Sequence, residues 1–491
     1  MYLNCHTYYS FKYGTMSPKE LLGEADSTCN NTPEGVFLQK RIPTETKIAL
    51  TDINSTSGCL YHAFECQRRG WPVIMGVDFR KGNEQQFIAI AKDNEGFQNI
   101  NFYLTEFLLD SGRNTPWRRV PTIKNAFIIY PLKNVPDRPL RSNEYIGVNH
   151  TELFNLRVSS CLRGTNLHVN KYLALNPVTF RNKRDYNAHR LLRAIDKNAL
   201  LSKLPIEEQG EMHHKFYSPH ELQNLYAGHE YLLENTEKLL AQCNLHFDFN
   251  DKTKLANKRT FTQTKKQDYA LLQQLTKEGL KYRYGNKVSQ EVKDRVAKEL
   301  GVIKECNFVP YFLINHNIVT YARKQGYFYV GRGSGANSLV AYLLRITNVD
   351  PIELDLYFER FINPSRKSPP DFDIDFSWRD RQDVTRYIFD TFPNTALMGS
   401  FVTFQARSVI REIGKVLGLP ADEIKNIQRT DKPQDLDQLG KLCMLYSRYI
   451  HGFPNHLSIH SSGIVITERP IQYYGATSMP PKGFPTAHFD M

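Results

Sequence analysis

The stretch Asp371-Phe372-Asp373-Ile374-Asp375-Phe376 alternates acid with large apolar residue. Side chains of a β-strand alternate between faces. An extended segment here therefore puts Asp371, Asp373 and Asp375 on one face and Phe372, Ile374 and Phe376 on the other. Asp is a poor strand former. Carboxylates lined up on one face repel unless something neutralises them. Divalent cations would do so, and carboxylates that hold Mg²⁺ against phosphates are the usual basis of phosphoryl and nucleotidyl transfer. The competing reading is an edge strand guarded by charge.

Just upstream, Gly331-Arg332-Gly333-Ser334-Gly335 separates a predicted strand, Tyr327–Val330, from a predicted apolar helix, Ala336–Ile346. Glycines let backbone approach a ligand closely, and a helix N-terminus favours an anion. The spacing fits neither the dinucleotide fingerprint nor the Walker loop. A tight turn needing glycine for shape is the alternative. Taken together, the turn and the acidic strand suit a triphosphate held beside metal ions. Arg360, Arg366 and Lys367 add cations between them.

Beyond the acidic strand, Phe404–Gly418 is amphipathic. Val409, Ile410, Ile413, Val416 and Leu417 form its apolar stripe. Arg407, Arg411 and Lys415 recur every four residues, a ridge that could follow a nucleic-acid backbone or simply face solvent. The net charge of +12 favours a polyanionic partner. The length of 491 residues allows roughly two to four domains. Residues 1–205 read as mixed α/β, and 249–267 as a lysine-rich linker or loop. Ser17-Pro18 and Ser218-Pro219 look like helix starts. No C-x-x-C pair occurs among the eight cysteines, which suits free thiols in a reducing compartment. No apolar run is long enough for a membrane span. A cytoplasmic protein with no membrane partner is expected.

The residues from Gly331 to Phe376 resemble the core of the bacterial replicative DNA polymerase III alpha subunit. Asn307–Arg323, Phe401–Gly418 and His456–Ile466 resemble flanking segments of that family. His6–Leu22 resembles the opening of its polymerase-and-histidinol-phosphatase (PHP) domain. The resemblance implies an α/β and α+β multidomain chain. Its parts are a PHP-type (β/α) barrel-like domain over 1–205, a DNA polymerase beta-like nucleotidyltransferase palm with connecting helices over 206–400 and a helical thumb over 401–475. The start of a returning palm segment covers 476–491.

It implies that Asp371 and Asp373 are catalytic carboxylates binding two Mg²⁺ ions, with Asp375 in a lesser role. Gly333 and Ser334 would hold the incoming deoxynucleoside triphosphate, aided by Arg332 and Arg360. Arg407, Arg411 and Lys415 would bind primer-template DNA. The sliding clamp and clamp loader would engage parts of the family's length absent here. The family's third catalytic Asp would follow Ala487–Asp490, beyond Met491, so little activity is expected from this chain alone.

The family's PHP metal ligands are depleted. The H-x-H pair reads Asn4 and His6, the T-D-H site reads Thr51-Asp52-Ile53, and a further His corresponds to Gln86. The late D-x-H motif falls at Asn176–Thr179, while Asp52 and Asp78 survive. A domain without bound metal or proofreading is expected. The alternatives are a PHP-type phosphoesterase or 3′–5′ exonuclease, and a non-catalytic nucleic-acid-binding remnant.

Overall fold

The computed structural model describes residues 1–30, 47–109, 122–154, 169–249, 256–363, 371–430 and 433–490. Its contacts fall into two compact units, Met1–Phe249 with Ala396–Ile464 and Ile471–Met491, and Asn250–Thr395 with Val465–Pro470.

The first unit opens with eight short strands. They are β1 (Tyr2–Cys5), β2 (Ile48–Leu50), β3 (Ile74–Lys81), β4 (Glu84–Ala91), β5 (Ala126–Pro131), β6 (Glu144–Val148), β7 (Tyr172–Ala174) and β8 (Pro177–Val178). Helices α1 (Pro18–Asn30), α2 (Cys59–Arg69), α3 (Asn94–Leu109), α4 (Lys183–Lys197), α5 (Pro219–Leu225) and α6 (Tyr231–Leu240) accompany them. The strands form one sheet in the order β7-β6-β5-β4-β3-β2-β1-β8. Pairing is parallel except around β4, which runs antiparallel to β3 and β5. The two edge strands, β7 and β8, are consecutive in the chain with only Leu175 and Asn176 between them. Such a link spans at most about 11 Å. The sheet therefore has to curl until its edges meet, as in a barrel.

Both faces of this sheet are covered. Ile48, Met75, Val77 and Phe79 join one core cluster, and Leu3, Ala49, Ile74 and Ile88 another. Near-continuous apolar strands such as Ile128-Ile129 are what a doubly covered sheet requires. Phe216, Leu222, Tyr226, Leu232, Leu245 and Phe247 enter the first cluster. The segment 206–249, grouped by the sequence with the palm, thus shares the core of the curled sheet. The helix starts are capped as read. The Ser17 hydroxyl accepts from the Glu20 amide (3.1 Å) while Glu20 accepts from the Ser17 amide (2.8 Å). Ser218 and Glu221 repeat this box.

The second unit comprises α7 (Lys265–Tyr284), α8 (Gln290–Glu305), α9 (Val309–Lys324), β9 (Tyr329–Arg332), α10 (Leu339–Leu343), β10 (Asp373–Phe376) and α11 (Arg381–Thr391). Leu272, Val296, Leu300, Phe312, Leu339, Val340 and Phe361 make its core. Strands β9 and β10 pair antiparallel, with Arg332 opposite Asp373 and Val330 opposite Asp375. The first strand lies two residues later than the sequence suggested. The helix after the glycine turn is much shorter than Ala336–Ile346. A 3₁₀ turn occupies Gly333–Asn337, Ser338 caps α10, and Arg345 at φ 61° ends it.

The chain then forms β11 (Thr395–Thr403), α12 (Ala406–Val416), α13 (Ala421–Arg429), α14 (Gln438–Ile450), β12 (Pro454–Ile466), β13 (Thr477–Ser478) and β14 (Thr486–Ala487). These four strands pair in the order β12-β11-β14-β13. The apolar stripe of α12 packs as expected. Val409, Ile410, Ile413 and Val416 are buried with Leu191 and Leu192 of α4 and Ile424, Cys443 and Ile450. Among the described residues, no helix is long and apolar enough to cross a membrane.

Candidate active site

The β9–β10 pair presents two chemically distinct faces. Tyr329 and Ile374 pack toward the core, whereas Val330, Arg332 and Asp375 are exposed. Phe372, just before β10, lies 5.1 Å from the Phe312 ring and 4.9 Å from that of Phe361. With Phe372 turned inward, the alternation extends back to Asp371, which is exposed beside Asp373. The carboxylates carry their own counter-ion. Arg332 Nε donates to Asp375 Oδ2 at 2.7 Å, and Arg332 Nη1 is 3.7 Å from Asp373 Oδ2. The repulsion inferred from the sequence is thus relieved partly by Arg332. All three side chains are solvent-accessible, so the pairs are weak and yield readily to another cation. Exposed paired carboxylates fit Mg²⁺, which takes one or two such ligands together with substrate phosphates.

Gly333 leaves β9 at φ 70°. A Cβ there would lie 2.5 Å from Asp373 Oδ2. Only glycine lets the turn and the carboxylate approach this closely. Ser334 follows, its carbonyl accepting from Asn337 Nδ2 at 2.9 Å.

The expected anion site at the helix N-terminus is already taken. Glu299 of α8 is fully buried. Its Oε1 accepts from the Leu339 amide (3.0 Å), and its Oε2 from the Val340 amide (3.0 Å) and the Ser338 hydroxyl (2.8 Å). Arg295 Nε donates to Glu299 Oε1 at 2.7 Å, and its Nη2 donates to the carbonyls of Asn337 and Leu356 at 3.1 and 2.9 Å. Burial pushes the Glu299 carboxyl up, against these hydrogen bonds. The chain's own carboxylate therefore satisfies the first amides of α10. Any phosphate must be met by the turn Gly333–Ser334 and by nearby cations. Arg360 is exposed in the short turn Phe358–Arg360, which packs beside the glycine turn. Arg366 and Lys367 lie outside the described residues.

On α12, Arg407, Arg411 and Lys415 are all exposed. Arg411 Nε bonds Glu412 Oε1 at 3.1 Å, and Lys415 Nζ bonds the same oxygen at 3.3 Å. The ridge exists but is partly neutralised by Glu412, which leaves the Arg407 side chain as its least encumbered cation among the described residues. Of the linker's basic residues, Lys252 and Lys254 lie outside the described residues, while Lys258, Arg259, Lys265 and Lys266 lie within them.

In the curled sheet, the surviving PHP-type residues form a buried cluster. His6 Nε2 bonds Asp78 Oδ2 (2.9 Å) and its Nδ1 bonds Thr179 Oγ1 (3.0 Å). Arg80 grips the same Asp78 oxygen through Nε and Nη2 at 3.0 and 2.8 Å. Its guanidinium also stacks 4.9 Å from the Tyr13 ring. Asp52 accepts from the Thr7 amide and hydroxyl and from the Ser10 hydroxyl, each at 2.7 Å. Burial raises the Asp78 carboxyl, but Arg80 and His6 outweigh it and hold the group far below the usual carboxylate range. Burial pushes Asp52 up to about 6 despite its hydrogen bonds, and it pushes His6 down. A cavity of about 360 Å³, lined by Ser10, Tyr13, Asn54, Arg80, Arg193 and His488 among others, opens beside the cluster. Gln86 Nε2 bonds the Glu84 carbonyl at 3.2 Å, at the exposed start of β4.

The sequence reading overlooked Arg80, Arg295 and Glu299. Asp78-Phe79-Arg80 places acid and base on one strand face, a legible pairing. Glu299 sits within the buried stripe Val292, Val296, Leu300 and Ile303, and an acid in such a stripe signals a buried partner.

Residues 270–491 match the family model described as bacterial DNA polymerase III alpha NTPase domain. The chain is 28% identical over 472 residues to DNA polymerase III subunit alpha of Halalkalibacterium halodurans, covering 86% of this chain and 42% of that protein. It is 28% identical over 525 residues to DNA polymerase III subunit alpha of Bacillus subtilis, covering 96% and 45%. It is 35% identical over 222 residues to the error-prone DNA polymerase of Anaeromyxobacter dehalogenans, covering 41% and 20%. The chain spans less than half the length of these relatives. The second half of the chain thus matches a polymerase III alpha family model, and most of its length is similar to polymerase III alpha subunits.

Proposed function

We propose that this chain is part of a DNA-templated DNA polymerase that adds deoxynucleotides to a primer 3′-end. One observation carries the reading: the glycine turn suited to a phosphate and the carboxylate suited to a metal touch at Gly333 and Asp373. Asp371 and Asp373 would hold Mg²⁺, two ions in the completed site. An ion held there would supply Lewis-acid activation of the primer hydroxyl and charge stabilisation for the pyrophosphate leaving group. Backbone amides of the turn and the Ser334 hydroxyl would bind triphosphate oxygens. Arg332 and Arg360 would supply charge-assisted donors to them. Glu299 and Arg295 keep the turn in shape without touching substrate.

In this reading the curled sheet is a PHP domain whose ligand positions serve stability. The engagement of Asp78 by Arg80 supports that role and disfavours a metal-dependent exonuclease. The second unit would be the core of the palm, and α12–α14 the thumb, with Arg407, Arg411 and Lys415 on the DNA backbone. Contacts with a sliding clamp and clamp loader are proposed for the length of the relatives that this chain does not span. A cytoplasmic setting follows from the role.

The test is primer extension by a full-length polymerase containing this sequence. Asp371→Ala and Asp373→Ala are expected to abolish extension and spare primer-template binding. Extension retained in both variants would refute the assignment.

A further inference from the structure

Between α4 and α5 a tight turn carries Glu211, His213 and His214. We propose that these three side chains form a binding site for a transition-metal ion of the zinc class, with water as fourth ligand. One donor atom from each lies within 4.8 Å of the others. Glu211 Oε2 and His213 Nδ1 are 3.4 Å apart. That separation is long for a hydrogen bond. It matches the edge of a tetrahedron whose metal–ligand bonds are about 2.0–2.1 Å, which is roughly 3.3–3.4 Å. The third donor, from His214, lies within 4.8 Å of the other two. Imidazole nitrogens with one carboxylate suit Zn²⁺, Ni²⁺ or Cu²⁺, not the Mg²⁺ that all-oxygen ligands select.

The turn is held in place by bonds that need no ion. The His214 amide donates to the Glu211 carbonyl at 2.9 Å and closes it. The His214 carbonyl accepts from the amides of Thr179 and Phe180 at 2.9 and 3.1 Å, tying the turn to the chain just after β8. The His213 carbonyl accepts from the Tyr217 hydroxyl at 3.1 Å. The rings are packed as well. His213 meets His150 and His214 edge-on at 5.0 and 4.9 Å, and Phe180 lies parallel to His214 at 6.4 Å. Much of the ordering cost of assembling the ligands is therefore met in folding. His150, bonded through Nδ1 to Asn176 Oδ1 at 2.8 Å, backs the His213 ring. None of the three ligands belongs to the PHP-type set around Asp78 or to the β9–β10 face.

The test uses the whole 491-residue chain, stripped with chelator and titrated with Zn²⁺ in a calorimeter. One equivalent is expected to bind, and Co²⁺ in its place should give the intense visible bands of a tetrahedral ion. His213→Ala is expected to weaken Zn²⁺ at least about tenfold. Glu211→Gln alters an exposed side chain, leaves the circular dichroism spectrum unchanged and should remove the Co²⁺ bands. The proposal is overturned if the chain binds no stoichiometric Zn²⁺, if both variants bind like the parent, or if His6→Gln abolishes binding and they do not.

Discussion

Asp78 is fully buried and shares one oxygen between an imidazole and a guanidinium. Removing one partner of such a pair leaves an uncompensated charge. Arg80→Met is therefore expected to destabilise the chain by about 3–5 kcal/mol in denaturant unfolding. A loss below about 1 kcal/mol would mean that Arg80 does not balance Asp78. The two buried acids of this cluster have opposite pH signatures. Asp52 binds its proton more tightly folded than unfolded, because burial outweighs its hydrogen bonds. Its contribution is thus fully present below the ordinary carboxylate range and is lost as pH rises through about 6. Asp78, depressed by Arg80 and His6, contributes above that range and is lost as pH falls. Asp52→Asn should remove the part of the stability curve that declines between pH 4 and about 6. Unfolding series at several pH values would show an unchanged decline if the assignment were mistaken. At this scale the sequence exposed the depleted ligand positions, because each is a local motif. It did not expose their partners, because Thr7 and Ser10 meet Asp52 across 45 and 42 residues and Thr179 meets His6 across 173.

The glycine turn works as an element because α8 holds it from behind. Glu299 and Arg295 satisfy amides and carbonyls of 337–340 that would otherwise be buried without partners. Glu299→Ala is expected to cost about 3–5 kcal/mol and to speed hydrogen exchange at the Leu339 and Val340 amides. Unchanged exchange there would show that the bonds do not hold the turn. Gly333→Ala places a methyl on Asp373 at a left-handed backbone angle. On α12, Arg407→Ala is expected to weaken DNA binding and lower the slope of log affinity against log salt by about 1. An unchanged slope would return that helix to a solvated face. The amphipathic pattern of α12 was legible because its stripe repeats within eleven residues. The length of α10 was not. Ser338, the left-handed Arg345 and a carboxylate from forty residues upstream delimit it, while its apolar composition alone suggested a longer helix.

Across the whole molecule, the alternating strands and capped helices announced a mixed α/β fold. The curl of the first sheet follows only from pairing, since β1 joins β8 across more than 170 residues. Likewise, the placement of Phe216, Leu222 and Phe247 in that sheet's core depended on tertiary contacts that no local pattern encodes. We propose the β9–β10 face as a metal-dependent nucleotide site. The most direct measurement is the affinity of this chain for a deoxynucleoside triphosphate with and without Mg²⁺, in the parent, Asp373→Asn and Gly333→Ala. Binding that requires Mg²⁺ and falls about tenfold or more in both variants, near 1.4 kcal/mol, is expected. Binding that ignores Mg²⁺, or is equal in all three chains, would contradict the account.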